Sequence, residues 1–130
     1  MANQLIEPTE TALYEAKILA SDRTPFEKQV WQLLLQIPPG SYTTYGILAA
    51  ALSSSPRAVG NALRRNPFSP QVPCHRVVST ARTIGGFKGA KGEESEEIRE
   101  KRGLLVREGV RFDMDGKVLG TPFEGFTVVG

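Results

Sequence analysis

Residues 41–67 read SYTTYGILAAALSSSPRAVGNALRRNP, and this stretch decides the fold. A threonine after Tyr42 can cap a helix, its side-chain oxygen accepting an otherwise unpaired N–H of the first turn. Ile47, Leu48, Ala51 and Leu52 are the expected inner face of that helix. Ser53-Ser54-Ser55 breaks it. Ser55 then reads as a second N-cap and Pro56 as a first helical position, where a missing N–H costs nothing. The new helix should run from Arg57 to Arg65, with Val59 and Leu63 facing inward four residues apart. Asn66-Pro67 stops it. Two short helices joined by a tight turn, the second one basic, predict a helix-turn-helix, although the turn carries serines where glycine is usual.

Upstream, Thr24-Pro25-Phe26-Glu27 has the spacing of a capping box. Phe26, Val30, Leu33, Leu34 and Ile37 recur at three and four, which predicts an amphipathic helix of about twelve residues, ended by Pro38-Pro39-Gly40. Trp31 is expected in the core. Residues 1–22 are an arm or a short helix, with Leu13, Ala16, Leu19 and Ala20 as its candidate inner face. Downstream, Pro67, Pro70 and Pro73 stiffen an extended stretch before Cys74-His75-Arg76-Val77-Val78. Thr83 to Gly92 is a glycine-rich loop that can approach a ligand closely. Glu93 to Glu108 reads as a charged helix with Ile98, Leu104 and Leu105 inside, and Gly109 just past its end. Asp115-Gly116 is the turn of a small hairpin. The expectation is a mainly α domain with a small β element, a winged-helix-like helix-turn-helix over residues 24–130, preceded by the arm at 1–23. No internal repeat and no second domain are evident.

The 130 residues are 40% hydrophobic and 23% charged, which is ordinary for one globular domain. No apolar run approaches the ~18 residues of a membrane span. The N-terminus lacks a basic start followed by an apolar stretch, so no signal peptide is expected. One cysteine excludes an intramolecular disulfide, and one cysteine with one histidine argues against a zinc site. An intracellular location is expected, nuclear in a eukaryote and cytoplasmic in a prokaryote. The net charge is only +2, but its layout is uneven. From Lys28 to Lys91 there is no acid and there are eight cations, while each flank is net negative. Such a segment suits a polyanionic partner, or is a basic face whose acids arrive from the flanks in space.

Cys74 is the one nucleophile candidate. A thiol with a free pKa near 8.5 needs a base or a positive field to act at neutral pH. His75 is adjacent, but neighbouring side chains diverge in an extended chain, so contact requires a turn or a bridging water. Arg76 adds positive field, and Glu108 could orient the imidazole as the third member of a Cys-His-acid relay. Read alone, the pair is equally compatible with a buried structural cysteine beside a satisfied histidine.

Five blocks change that balance: PPGSYTTYG at 38–46, PRAVGNALRRNP at 56–67, PCHRVV at 73–78, GGFKG at 85–89 and LLVREGV at 104–110. In order and spacing they resemble the active-site domain of the O6-alkylguanine-DNA alkyltransferases, over residues 24–109. The resemblance implies that Cys74 accepts an alkyl group from guanine O6, with His75 as base through water and Glu108 behind it. It implies that Asn66 is the hinge between recognition helix and active-site strand, and that Tyr42 is the phenol that protonates the leaving guanine and presses on a phosphate. Arg57 is implied to enter the base stack, with Ala58 and Gly60 allowing close approach and Arg64 and Arg65 adding charge. Leu63, Val77, Phe87 and Lys88 are implied to line the base pocket, with the carbonyls of Cys74 and Val77 reading the guanine edge. The implied partner is double-stranded DNA carrying O6-alkylguanine, bound through the minor groove by a monomer with no cofactor, metal or membrane.

The chain departs from the family in two ways. Only about 23 residues precede the matching block, and Phe87 and Lys88 stand where tyrosine and a small hydroxyl residue are common. A related non-enzymatic group, the alkyltransferase-like proteins, is similarly short; it binds alkylated guanine and recruits other repair factors, but has tryptophan at the position of Cys74. A sequence-specific regulator is disfavoured, because Ala58, Gly60 and Ala62 cannot read base edges.

Overall fold

A computed structural model describes residues 8–87 and 95–128. Its helices are α1 (Pro8–Ala20), α2 (Pro25–Leu34), α3 (Tyr45–Ala51), α4 (Pro56–Arg64) and α5 (Glu96–Arg107). Its strands are β1 (Thr43–Thr44) and β2 (Val77–Val78), which pair in parallel with Thr43 opposite Val77. The architecture is therefore mostly helical with a small β element, as the periodicities predict. No helix among the described residues is long and apolar enough to cross a membrane.

Local chemistry sets the boundaries. The Thr24 side chain accepts from Glu27 N–H while Glu27 accepts from Thr24 N–H, completing the capping box of α2. Thr44 caps α3, Ser55 caps α4 and Ser95 caps α5, each accepting an N–H three residues on. The α3–α4 turn needs a left-handed residue, and Ser53 supplies it at φ +52°. Ser54 N–H reaches back to Ala49 O at 2.8 Å, so the turn closes as a helix C-terminus normally does with glycine.

The core gathers Val30, Trp31, Leu34, Leu48, Val59, Leu63, Ile98 and Leu105 around β1 and β2. Trp31 is fully buried, and its indole N–H donates to Ala62 O at 2.9 Å, which locks α2 to α4. The helix α1 docks by Tyr14 and Ile18, Tyr14 meeting Phe68 edge-on at 6.3 Å. The expected face is the outer one: Leu13 and Leu19 are exposed, as are Ala16 and Ala20. On α3 the buried residues are Leu48 and Ala49, with Ile47, Ala51 and Leu52 only half-buried.

The chain after α5 turns through Gly109 at φ +101°, and the expected hairpin is a single antiparallel bridge, Phe112 to Val118. Beyond it, the C-terminal segment runs along β1. Phe123 N–H donates to Tyr42 O at 2.6 Å, Thr43 Oγ1 donates to Phe123 O at 2.8 Å, and the Gln36 amide exchanges two hydrogen bonds with the Thr127 backbone.

Candidate active site

The Cys74–Arg76 segment is a single 3-10 turn rather than a strand, and β2 starts only at Val77. The turn lets adjacent side chains do different work. Cys74 faces a cleft of about 640 Å³ while His75 and Arg76 turn inward. The Pro56–Arg64 helix lines one side of the cleft through Arg57, Gly60, Asn61, Leu63 and Arg64. Segment 79–87 lines the other through Ser79, Thr80, Gly85, Gly86 and Phe87, with Tyr45 and Cys74 completing it. Cys74 is 6% exposed and lines this cleft.

Behind the cysteine lies an ordered charge network. His75 Nε2 is 2.9 Å from Glu108 Oε2, and Arg76 clasps the same carboxylate with Nε at 2.8 Å and an Nη at 2.7 Å. The other Nη of Arg76 donates to Ile37 O at 2.8 Å. Burial alone would raise the Glu108 carboxyl, but hydrogen bonds from His75 and Arg76, with their charges, outweigh it and bring it down to about 2. An ionised carboxylate can only accept, so the imidazole proton sits on Nε2. In the neutral form of the ring Nδ1 carries a lone pair, and this nitrogen is buried with no hydrogen-bond partner among the described residues. Arg76 therefore serves the carboxylate and not the thiol.

Asn66 occupies a hinge position. Its Nδ2 donates to Val72 O at 2.8 Å and its Oδ1 accepts from Phe68 N–H at 2.9 Å, which fixes the strand-like entry to Cys74 relative to α4.

The tyrosine of the cleft is Tyr45, not Tyr42. Tyr42 is buried, its hydroxyl donates to Gly120 O at 2.6 Å, and it lines no part of the cleft. Tyr45 is the first residue of α3, and burial, then the neighbouring Cys74, push its phenol up to about 12. Gly85 makes this packing possible, because a β-carbon there would come within 3.3 Å of the Tyr45 ring and 3.2 Å of Ser79 N.

Lys101 was not expected at the site. It is fully buried on α5, and its Nζ donates to Val77 O at 2.7 Å and Gly86 O at 3.0 Å, 6.0 Å from the Tyr45 ring centre. Burial pulls its ammonium down to about 7, against an opposing contribution from Cys74. A sequence signal existed: Ile98, Lys101 and Leu105 share one helical stripe.

The remaining candidates divide. Arg57 and Arg64 are exposed on the cleft side of α4, and among the described residues nothing beyond the helix's own backbone and the two chain neighbours lies within 4 Å of a β-carbon at Gly60. Arg65 faces away, 3.7 Å from Glu27 on α2, and Ala58 is half-buried off the lining. Leu63 and Phe87 line the cleft, whereas Val77 is buried beneath it. The carbonyls of Val77 and Cys74 already accept from Lys101 Nζ and Val77 N–H respectively. Lys88 lies outside the described residues.

The chain is 47% identical over 89 residues to a methylated-DNA--protein-cysteine methyltransferase of Thermococcus barophilus, covering 68% of this chain and 46% of that one. The chain spans about half the length of the curated relatives it matches. Mycobacterium tuberculosis OGT in complex with DNA matches at TM-score 0.58 and 38% identity, over 66% of this chain and 49% of that one. Schizosaccharomyces pombe Atl1 in complex with damaged DNA containing O6-carboxymethylguanine matches at TM-score 0.57 and 27% identity, over 74% of this chain and 89% of that one. The family model for the DNA binding domain of 6-O-methylguanine DNA methyltransferase matches residues 25–110, and the chain belongs to that family.

Proposed function

We propose that this chain repairs O6-alkylguanine in duplex DNA by moving the alkyl group onto Cys74. One observation carries the reading: the only cysteine of the chain opens onto a cleft that also holds a phenol, with an imidazole held by Glu108 behind it and, on its rim, two arginines that no carboxylate pairs among the described residues. A lesion on a stacked, paired base is out of reach, so the nucleotide must be extruded into the cleft. Arg57, at the start of α4, would fill the gap left in the stack, and Arg64 would meet phosphate. We place α4 in the minor groove, where the bare backbone at Gly60 permits close approach, and a single copy of the chain suffices.

The chemistry follows from the relay. His75 Nδ1 takes the Cys74 proton through one water, and ionised Glu108 stabilises the imidazolium. The thiolate attacks the alkyl carbon; the S–C bond forms as the C–O bond breaks, and the electron pair leaves on the purine. Tyr45, still protonated at neutral pH, donates its proton to that leaving base. The product is a thioether, which nothing lining the cleft can hydrolyse, so each molecule turns over once.

The structural match to Atl1 in complex with damaged DNA supports a second reading, a module that binds the lesion without transfer. Cys74 favours the first. Incubation with a duplex holding O6-methylguanine should add one methyl mass to the Cys74 peptide, and Cys74→Ser should bind yet gain nothing. Binding with no mass gain by the wild type selects the second reading. Tyr45→Phe should slow transfer by about 10²-fold, while Tyr42→Phe should cost only about 1 kcal/mol of stability through its lost hydrogen bond; the opposite pattern returns the donor role to Tyr42.

A further inference from the structure

Segment 79–83 forms a tight turn. Arg82 N–H donates to Ser79 O at 2.8 Å, Ser79 N–H donates to Thr83 O at 2.9 Å, and the Ser79 and Thr83 hydroxyls meet at 2.7 Å. This is a type I turn closed by a left-handed residue, a position that glycine or asparagine normally takes. Here it is Arg82, at φ +69°. The conformation is imposed from outside as well, since Val118 N–H donates to Arg82 O at 2.8 Å. Strain of this kind persists only where the surroundings over-determine it, and it gathers at ligand clamps.

Two further facts give the strain a purpose. Ser79 and Thr80 of the same turn line the cleft wall that faces α4. Arg82 is exposed and makes no hydrogen bond or ion pair through its side chain among the described residues, whereas Arg23, Arg65 and Arg76 are each paired with a carboxylate. No acid occurs between Lys28 and Lys91 to neutralise it locally.

We propose that Arg82 is a phosphate-binding residue on the wall opposite α4, so that the cleft grips the nucleic-acid backbone from both sides. The inference rests on the duplex-binding reading above. Arg82 touches none of the reacting atoms; it positions the duplex against the α4 arginines. A residue kept for its charge at the expense of the backbone has a distinctive signature, because removing it relaxes the fold and weakens binding together.

The test uses the full chain and two duplexes, one with O6-methylguanine and one without, titrated by fluorescence anisotropy across salt concentrations. Arg82→Gly should lower affinity for both duplexes by about tenfold at low salt and reduce the slope of log K against log salt by about 0.9. Its Tm should rise by a few degrees. Arg82→Asn, which tolerates the left-handed conformation without the charge, should reproduce the lost slope, and Arg82→Lys should restore it. Wild-type affinity and slope in Arg82→Gly or Arg82→Asn overturn the assignment of Arg82 while leaving the repair reading intact. Failure of the wild type to bind either duplex overturns both.

Discussion

Two groups of cations carry opposite duties in this molecule. Arg57 and Arg64 on α4, and Arg82 in the turn at 79–83, stand in solvent. Arg76 and Lys101 are sealed in the interior, one bidentate on Glu108 and the other shared between two carbonyls. In the sequence the acid-free middle segment presents most of these as one basic run. The fold sorts them by distance from Glu108 and the α5 stripe. Exposed cations cost little and gain energy only when a polyanion arrives. Buried ones must be satisfied within the chain, and losing a partner strands a charge in low dielectric.

The contrast predicts separable phenotypes. The largest effect belongs to the interior: Glu108→Gln leaves Arg76 with half its partner, and should cost about 3 kcal/mol in chemical denaturation as well as most of the transfer rate. A depressed carboxyl stabilises the fold fully above its unfolded value and loses that contribution as pH falls toward about 2. The variant should therefore lack the wild type's acid-unfolding limb in that window. A variant as stable as the wild type would erase the distinction between the two groups.

Lys101 comes next, with the opposite sign. Its folded value lies below its unfolded one, so folding disfavours its charge, and stability should climb as pH rises from about 7 toward 10. The climb should be on the order of 1 kcal/mol per pH unit and absent in Lys101→Met, whatever that variant's absolute stability. Equal slopes would mean that Lys101 stays charged when buried.

Arg57→Ala tests the exposed group. It should leave Tm within about a degree and weaken duplex binding by about tenfold, with less extrusion of a fluorescent base analogue at the lesion. Unchanged fluorescence would remove Arg57 from the mechanism. The smallest effect falls to Arg65→Ala, whose partly exposed pair with Glu27 should contribute under about 0.5 kcal/mol and whose loss should spare transfer.

What the sequence disclosed and what it concealed divide along physical lines. Caps were legible, because Thr24, Ser55 and Pro56 act within four residues of themselves. The helix-turn-helix was legible despite its serine turn, since hydrophobic spacing is also local. Which tyrosine enters the cleft was not, because it depends on Thr44 rather than Thr43 being the cap, and on the distant Gly120 taking the Tyr42 hydroxyl. The face of α1 was misread because its outer apolar side chains outnumber Tyr14 and Ile18, and only the position of Phe68 decides between them. Arg76 was read only as a source of positive field, for want of any local sign that a carboxylate thirty-two residues away would claim it.

The clasp between Gln36 and Thr127 has a structural corollary. A parallel ribbon only two residues long would ordinarily offer its bare flank to any extended peptide that drifted by. Here the chain's own tail occupies that flank, with Phe123 N–H donating to the Tyr42 carbonyl and the Phe123 carbonyl accepting from the Thr43 hydroxyl. The molecule thus guards against unwanted strand addition close to Cys74, and cutting the tail short should cost it solubility before it costs it chemistry.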